Sequence, residues 1–256
     1  VTAVRLDVAH SSGQFSDTQP QQTADAKRLA ARAEKRGWRW LTGTEAGPQS
    51  VLGKALATVD QDHGLRFRKG RAGDVWVCHR RDLFEGPVEE EWYKVVDGVA
   101  GRFADRGVLR VTGHSPLVQS DLTVLVSHYL TEGRPGGDAA HRRFLRDNTR
   151  IAAKVGEVGR EFGRGTDLCF YGGDQNIPDR EFDTFLGAPF TSLADELGDW
   201  QDTGHGSIDV IASYNGDGRV RGASFDVLDD SEFALASDHF LCEGSFEVRA
   251  PRHRRR

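Results

Sequence analysis

Val108-Leu109-Arg110-Val111-Thr112 and Leu122-Thr123-Val124-Leu125-Val126-Ser127 are two apolar, β-branched runs with only a short connection between them. They read as successive strands. Residues 138–163 then carry Phe144, Ile151, Val155, Val158 and Phe162 at helical spacing, and Asp167–Tyr171 is a further strand. Simple βαβ alternation would give a parallel sheet. Strands that follow one another without a helix must instead pair antiparallel, because a parallel return needs a crossover of a dozen or more residues. The stretch therefore predicts a mixed α/β or α+β layered fold.

The same pattern extends outward. Val4–Ala9 opens with a strand. Gln21–Arg36 reads as a helix, with Ala26, Leu29, Ala30 and Ala33 on one face, Lys35 and Arg36 in its last turn and Gly37 as its cap. Trp38–Thr42 is a short buried strand, and a second helix is predicted over residues 50–62. Further strands are expected at Leu65–Lys69, Asp74–Arg80, Trp92–Val96, Ile208–Ala212, Ala223–Leu228 and Phe240–Val248. No internal repeat or linker interrupts the chain, so residues 1–250 are expected to form one domain. Arg252-His253-Arg254-Arg255-Arg256 is expected to be a basic, disordered tail.

Composition narrows the class. At 256 residues the chain is long enough for a substantial core. No apolar run approaches the length of a membrane helix, and residues 1–9 lack the basic segment and apolar run of a secretory signal. A cytoplasmic, monomeric protein is expected. Cys78, Cys169 and Cys242 are far apart in apolar settings and form no CxxC pair. Free thiols are expected, and a thiolate zinc site is not. The net charge of −5 does not attract polyanions, although 28 of the 34 basic residues are Arg. Arg forks suit phosphate, but a GC-rich genome would also favour Arg.

Several apolar strands end abruptly in polar residues. Trp40-Leu41-Thr42-Gly43-Thr44 runs into Glu45, and Val124-Leu125-Val126-Ser127 runs into His128. Leu168-Cys169-Phe170-Tyr171-Gly172-Gly173 runs into Asp174-Gln175-Asn176. Asp209 sits inside an apolar strand, and Asp238-His239 opens the last one. Each admits a structural reading on its own. Glu45 could start a loop, His128 could pack, and Asp174, Asn176 or Asp238 could hold a turn. Asp209 is the least bland, since a buried carboxylate needs a partner. Taken together, hard oxygen ligands and two imidazoles suit Mg²⁺ or Mn²⁺ and a phosphate.

In this order the segments resemble the endonuclease/exonuclease/phosphatase family, which includes pancreatic deoxyribonuclease, abasic-site endonucleases and inositol-phosphate phosphatases. Gly173-Asp174-Gln175-Asn176 is similar to the family's GDxN and Ser237-Asp238-His239 to its SDH, with Glu45, His128 and Asp209 in family order between and before them. The chain departs from the family in having Asp7 where an Asn is usual near the end of strand one, and in Ala46-Gly47-Pro48 after Glu45. The longer motifs of abasic-site endonucleases are absent. His128 is like the deoxyribonuclease branch, with Asp74 a candidate partner for it.

The resemblance implies a four-layer sandwich of two mixed, mostly antiparallel sheets flanked by helices. It implies a divalent-metal-dependent phosphoester hydrolase, in which Glu45, Asp7 and Asp238 bind Mg²⁺ or Mn²⁺. Asp174 and Asn176 would position the attacking water, Asp209 would orient His239 as acid or base, and His128 would contact the phosphate. A nuclease acting on DNA is the favoured substrate reading, with Arg71, Arg134, Arg142 and Arg143 as backbone contacts. A phosphatase or phosphodiesterase for a small or lipid phosphate is the alternative. A catalytically inactive nucleic-acid-binding module is the alternative of another class. The Gly/Pro segment from Thr131 to Asp138 is a candidate for shaping substrate choice.

Overall fold

The computed structural model describes the chain apart from residues 1–2, 13–18, 47–53, 56–62, 68–73, 100–103, 132–137, 177–189, 205–208, 215–217, 234, 236, 238 and 251–256. Two six-stranded sheets dominate it. The first has the order β11-β12-β1-β2-β4-β3, built from Val220–Leu228, Leu241–Arg249, Ala3–Ser11, Trp40–Thr44, Val75–Arg80 and His63–Phe67. The second has the order β5-β6-β7-β8-β10-β9, from Glu85–Val96, Arg106–Ser115, Ser120–His128, Leu168–Asp174, Asp209–Tyr214 and Phe190–Ser192.

Each sheet has one parallel pair, and each parallel pair is bridged by a long helix. β1 pairs parallel with β2 across α1 (Gln19–Arg36), and β7 pairs parallel with β8 across α2 (Asp138–Phe162). The remaining pairs are antiparallel, including the β6–β7 hairpin expected from the sequence. The helices α1 and α2 are the crossovers that parallel pairing demands.

Strand alternation then sorts the side chains into layers. Leu6, Val8, Leu122, Val124, Val126, Leu168, Phe170, Ile211 and Phe246 meet between the sheets. Ala26, Leu29 and Ala33 of α1 pack on Ala9, Leu41 and Trp76, on the outer face of the first sheet. Val155 and Val158 of α2 pack on Leu125, Cys169, Tyr171 and Val210, on the outer face of the second. The result is the four-layer order helix, sheet, sheet, helix. No helix among the described residues is long and apolar enough to cross a membrane.

Local chemistry fixes the ends. Gly37 takes φ +70°, its N–H donates to Glu34 O, and Trp38 N–H donates to Ala33 O. That is a Schellman close, and Trp38 packs in the same cluster as Ala33. At the end of the sandwich where β11 starts and β12 finishes, the buried Arg219 guanidinium donates to Ser120 Oγ and to the carbonyls of Val118, Thr166 and Arg249. It ties the two sheets together there. All three cysteines are free, with Cys169 and Cys242 buried and Cys78 only partly so.

Two strands, β5 and β9, differ from the sequence reading, and one expected helix goes largely undescribed. The helix expected over residues 50–62 lies almost wholly outside the described residues; Lys54 and Ala55, the two described, are helical. β5 starts seven residues earlier than expected, at Glu85. Its first half, Glu85-Gly86-Pro87-Val88-Glu89-Glu90-Glu91, lacks the composition of a strand, yet it forms the sheet edge, where a proline costs no ladder bond. β9 has only three residues, too few to show a period.

Candidate active site

The inward-facing stripes that build the inter-sheet core turn polar at one rim. Leu6 and Val8 are followed on the same face of β1 by His10. On β7, Leu122, Val124 and Val126 lead to His128. On β8, Leu168 and Phe170 lead past Gly172 to Asp174. Asp209 begins β10 directly opposite Asp174. Because β10 runs antiparallel to β8 and β12 antiparallel to β1, their starts lie beside the carboxyl ends of the parallel strands. His239, just before β12, therefore joins the same rim. Strand carboxyl ends are where layered α/β sheets present ligand-binding groups.

Two imidazole–carboxylate pairs stand there. His239 Nδ1 donates to Asp209 Oδ2 at 2.7 Å. His128 Nδ1 donates to Asp74 Oδ2 at 3.1 Å, and Arg106 Nη1 lies against that same oxygen. Between the pairs is Asp174, 1% exposed, whose Oδ2 is 3.5 Å from His128 Nε2. Glu45 Oε1 approaches the same Nε2 at 3.8 Å. Asn176 N–H donates to Asp174 Oδ1 at 2.9 Å, and its side-chain amide donates to Tyr129 O at 3.1 Å.

The electrostatics follow from burial and from like charges in contact. Burial first, then the Asp209 carboxylate, raises Asp174 from its ordinary 3.8 to about 6. Burial would raise Asp209 as well, but the His10 ring beside Oδ1 and the bond from His239 outweigh that and hold it far below the ordinary range. Burial, reinforced by Arg106, lowers His128 to about 4, so its ring is neutral near neutral pH.

The backbone is strained at the same place. Glu45 (φ +60°) and Asn176 (φ +49°) are two of the three non-glycine residues with positive φ among the described residues. Such geometry costs of order 1–3 kcal/mol and persists where the surroundings impose it. Behind the rim, Asn148 of α2 brackets Leu130 with bonds to its N–H (2.9 Å) and its C=O (3.1 Å). Ser127 Oγ and Tyr171 OH are 2.8 Å apart on the outer face.

Glu45, His128, Asp174, Asn176, Asp209 and His239 are thus gathered as the sequence predicts, and Asp74 does reach His128. Asp7 does not join them. It lies mid-strand on the α1 side of β1, because alternation turns Leu6 and Val8 inward, and it pairs with Arg5 at 2.8 Å. Asp238, Arg71 and Arg134 lie outside the described residues, as does most of the Thr131–Asp138 segment. Arg142 is exposed near the start of α2. It lies six residues, about 9 Å of helix rise, beyond the point where Asn148 meets Leu130.

Sequence reasoning missed His10. It is fully buried, 3.4 Å from Asp209 Oδ1, and held by Thr42 and Ser12. The available signal was its place two residues beyond Val8 on the inward stripe.

The donor set fits a hard cation. Ligand atoms of Asp174, Asp209 and His239 lie within 4.8 Å of one another, and Glu45 Oε1 and Asp174 Oδ2 both approach His128 Nε2, at 3.8 and 3.5 Å, so Asp174 is the carboxylate common to both groups. Asp174 Oδ2 is buried and without a hydrogen-bond partner among the described residues. An unpaired buried carboxylate oxygen is costly unless something cationic meets it.

No protein-family model matches the chain, and no curated protein is similar to it in sequence. Solved structures share its fold. An endonuclease/exonuclease/phosphatase family protein from Bacteroides thetaiotaomicron superposes with a TM-score of 0.70 at 12% identity, over 97% of this chain and 100% of that one. D. rerio TDP2, solved with a single-strand DNA product, gives 0.68 at 14% over 94% and 98%. The mannosyl-6-phosphatase Bt3783 from B. thetaiotaomicron gives 0.66 at 14% over 94% and 99%. The chain therefore has the endonuclease/exonuclease/phosphatase fold that its motif order implies.

Proposed function

We propose that the chain is a divalent-metal-dependent phosphoester hydrolase, acting on DNA phosphodiester bonds by in-line attack of water. The observation that carries this reading is one rim with two carboxylate-held imidazoles on either side of a buried carboxylate, Asp174, whose Oδ2 has no hydrogen-bond partner among the described residues.

A phosphodiester is anionic, so attack by water needs charge neutralisation, alignment and a place for two protons. His239 keeps its proton on Nδ1 and donates it as a hydrogen bond to Asp209, which leaves Nε2 as the base that takes a proton from the attacking water. His128 is held the same way by Asp74, with Nε2 toward Glu45 and Asp174, and it would hand a proton to the leaving oxygen only from the imidazolium form that a bound anionic phosphate favours. Asp174, with Asn176 bonded to it, orients the water. Glu45 and Asp174 are the residues that would hold Mg²⁺ or Mn²⁺, which when bound supplies Lewis-acid stabilisation of the developing charge.

DNA is favoured because TDP2, of the same fold, is solved with a single-strand DNA product, and because Arg142 stands exposed beyond the rim. The mannosyl-6-phosphatase neighbour supports a second reading, hydrolysis of a small phosphate monoester. Cleavage of supercoiled plasmid and of single- and double-stranded DNA, beside phosphate release from sugar phosphates, separates the two. Metal-dependent strand cleavage supports the first reading, and phosphate release without cleavage replaces it with the second.

A further inference from the structure

Asp209 stands behind His239, and its two oxygens are held differently. Oδ2 accepts the short bond from His239. Oδ1 has no hydrogen bond of ordinary geometry among the described residues, and His10 Nε2 stands 3.4 Å from it. His10 is fully buried and gripped on both sides. Thr42 Oγ1 is 2.8 Å from Nδ1 and Ser12 Oγ is 2.8 Å from Nε2, while Thr44 Oγ1 donates to Ser12 Oγ at 2.9 Å. Ser12 is also tied to the His239 segment, since its carbonyl accepts from Ser237 Oγ at 2.8 Å and that hydroxyl accepts from His239 N–H at 3.1 Å.

The seat reaches the opposite sheet. A Cβ on Gly172 would lie 2.1 Å from Thr42 Oγ1. The hydroxyl that meets His10 therefore occupies space that any side chain at 172 would take. Thr42 and Ser12 already supply the partners that the two ring nitrogens of a buried imidazole need, so the Asp209 carboxylate 3.4 Å from Nε2 is additional to them.

We propose that His10 is a positioning residue for the Asp209–His239 pair, restraining the Asp209 carboxylate from its Oδ1 side so that Oδ2 faces His239. Nδ1 meets Thr42 Oγ1, a hydroxyl that also points at Ala9 O at 3.4 Å, while Nε2 faces Ser12 Oγ and the Asp209 carboxylate, which favours a proton on Nε2. Thr42, Ser12 and Gly172 form the seat that sets the ring's angle. A partner of this kind orients a functional imidazole without touching the reacting atoms. The kinetic consequence rests on the hydrolase reading; the structural one does not.

The test compares His10→Ala, His10→Asn and His10→Gln in the full chain. A Gln amide nitrogen reaches roughly the place of Nε2, and an Asn nitrogen that of Nδ1. One readout is the downfield NMR proton of His239 Nδ1–H without metal or substrate; the other is kcat against KM. Ala and Asn should lose or shift that resonance and lower kcat about 10- to 100-fold, with KM little changed. Gln should restore both. Gly172→Ala, acting through Thr42 from the other sheet, should behave like Asn. A His10→Ala protein with an unaltered resonance and kcat overturns the proposal, and so does Asn performing as well as Gln. If Ala does not fold, the Asn–Gln pair decides. If the unsubstituted chain hydrolyses no phosphoester, the functional reading fails, while the resonance still decides what His10 does.

Discussion

Asp174→Asn should remove turnover and at the same time make the protein more stable. In the folded chain the carboxyl rises from 3.8 to about 6, through burial first and the Asp209 charge second. A folded pKa above the unfolded one means that folding favours the protonated form. The group's contribution is complete below about pH 3.8 and is lost as pH rises through about 6. At about 1.4 kcal/mol per pH unit, ionised Asp174 costs on the order of 3 kcal/mol at slightly alkaline pH. An amide never ionises, and its oxygen can still accept the bond from Asn176 N–H. Urea unfolding in EDTA, followed by the fluorescence of the five tryptophans, would measure the difference. The variant should gain about 3 kcal/mol near pH 8 and almost nothing near pH 4. Against a typical total of roughly 5–15 kcal/mol, such a gain is easily read. Mg²⁺ or Mn²⁺ should then stabilise the unsubstituted chain, by about 2.7 kcal/mol at a hundred times Kd, and not the variant. Equal or lower stability of the variant near pH 8 would mean that the carboxylate is already satisfied in the fold, and the reasoning would be wrong.

Other outcomes follow from the same geometry. His239→Ala should keep its fold by circular dichroism and lose about a hundred- to ten-thousand-fold in kcat; a near-normal rate would remove His239 from the mechanism. Asp7→Ala should leave both kcat and Mn²⁺ affinity unchanged, because Asp7 faces α1, and weakened Mn²⁺ binding by paramagnetic resonance would contradict that placement. His128 is held at about 4 against an ordinary 6.5. Its neutral form therefore stabilises the fold above about pH 6.5, and that contribution is lost as pH falls toward 4, opposite in sign to Asp174. His128→Gln should flatten this acid limb in urea titrations, and an unchanged limb would show that burial does not hold the ring neutral.

Much of this was legible in the sequence because the rim is made by strands that change character abruptly. An apolar alternation ending in His128, or in Gly172-Gly173-Asp174, marks both the strand and the end that joins the polar rim. The β6–β7 hairpin and the two long helices were readable from period alone. The resemblance puts a metal ligand at Asp7, but parity along β1 turns that residue toward α1. Leu6 and Val8 define the inward face, and that count leads to His10. His10 itself looked like one polar residue among Ser11 and Ser12, and its meaning comes from Thr42 and Asp209, 32 and 199 positions away. The first half of β5 and all of β9 were unreadable for another reason. Edge strands take their stability from a neighbour's ladder, so their own composition need not announce them.

The most direct test of the hydrolase claim is cleavage of supercoiled plasmid, linear DNA and RNA with Mg²⁺, Mn²⁺ or EDTA, run beside a phosphate-release screen and a His239→Ala control. The account predicts metal-dependent strand cleavage that disappears both in EDTA and in the variant. Cleavage that persists in either would contradict it, as would silence on every phosphoester together with no measurable metal binding.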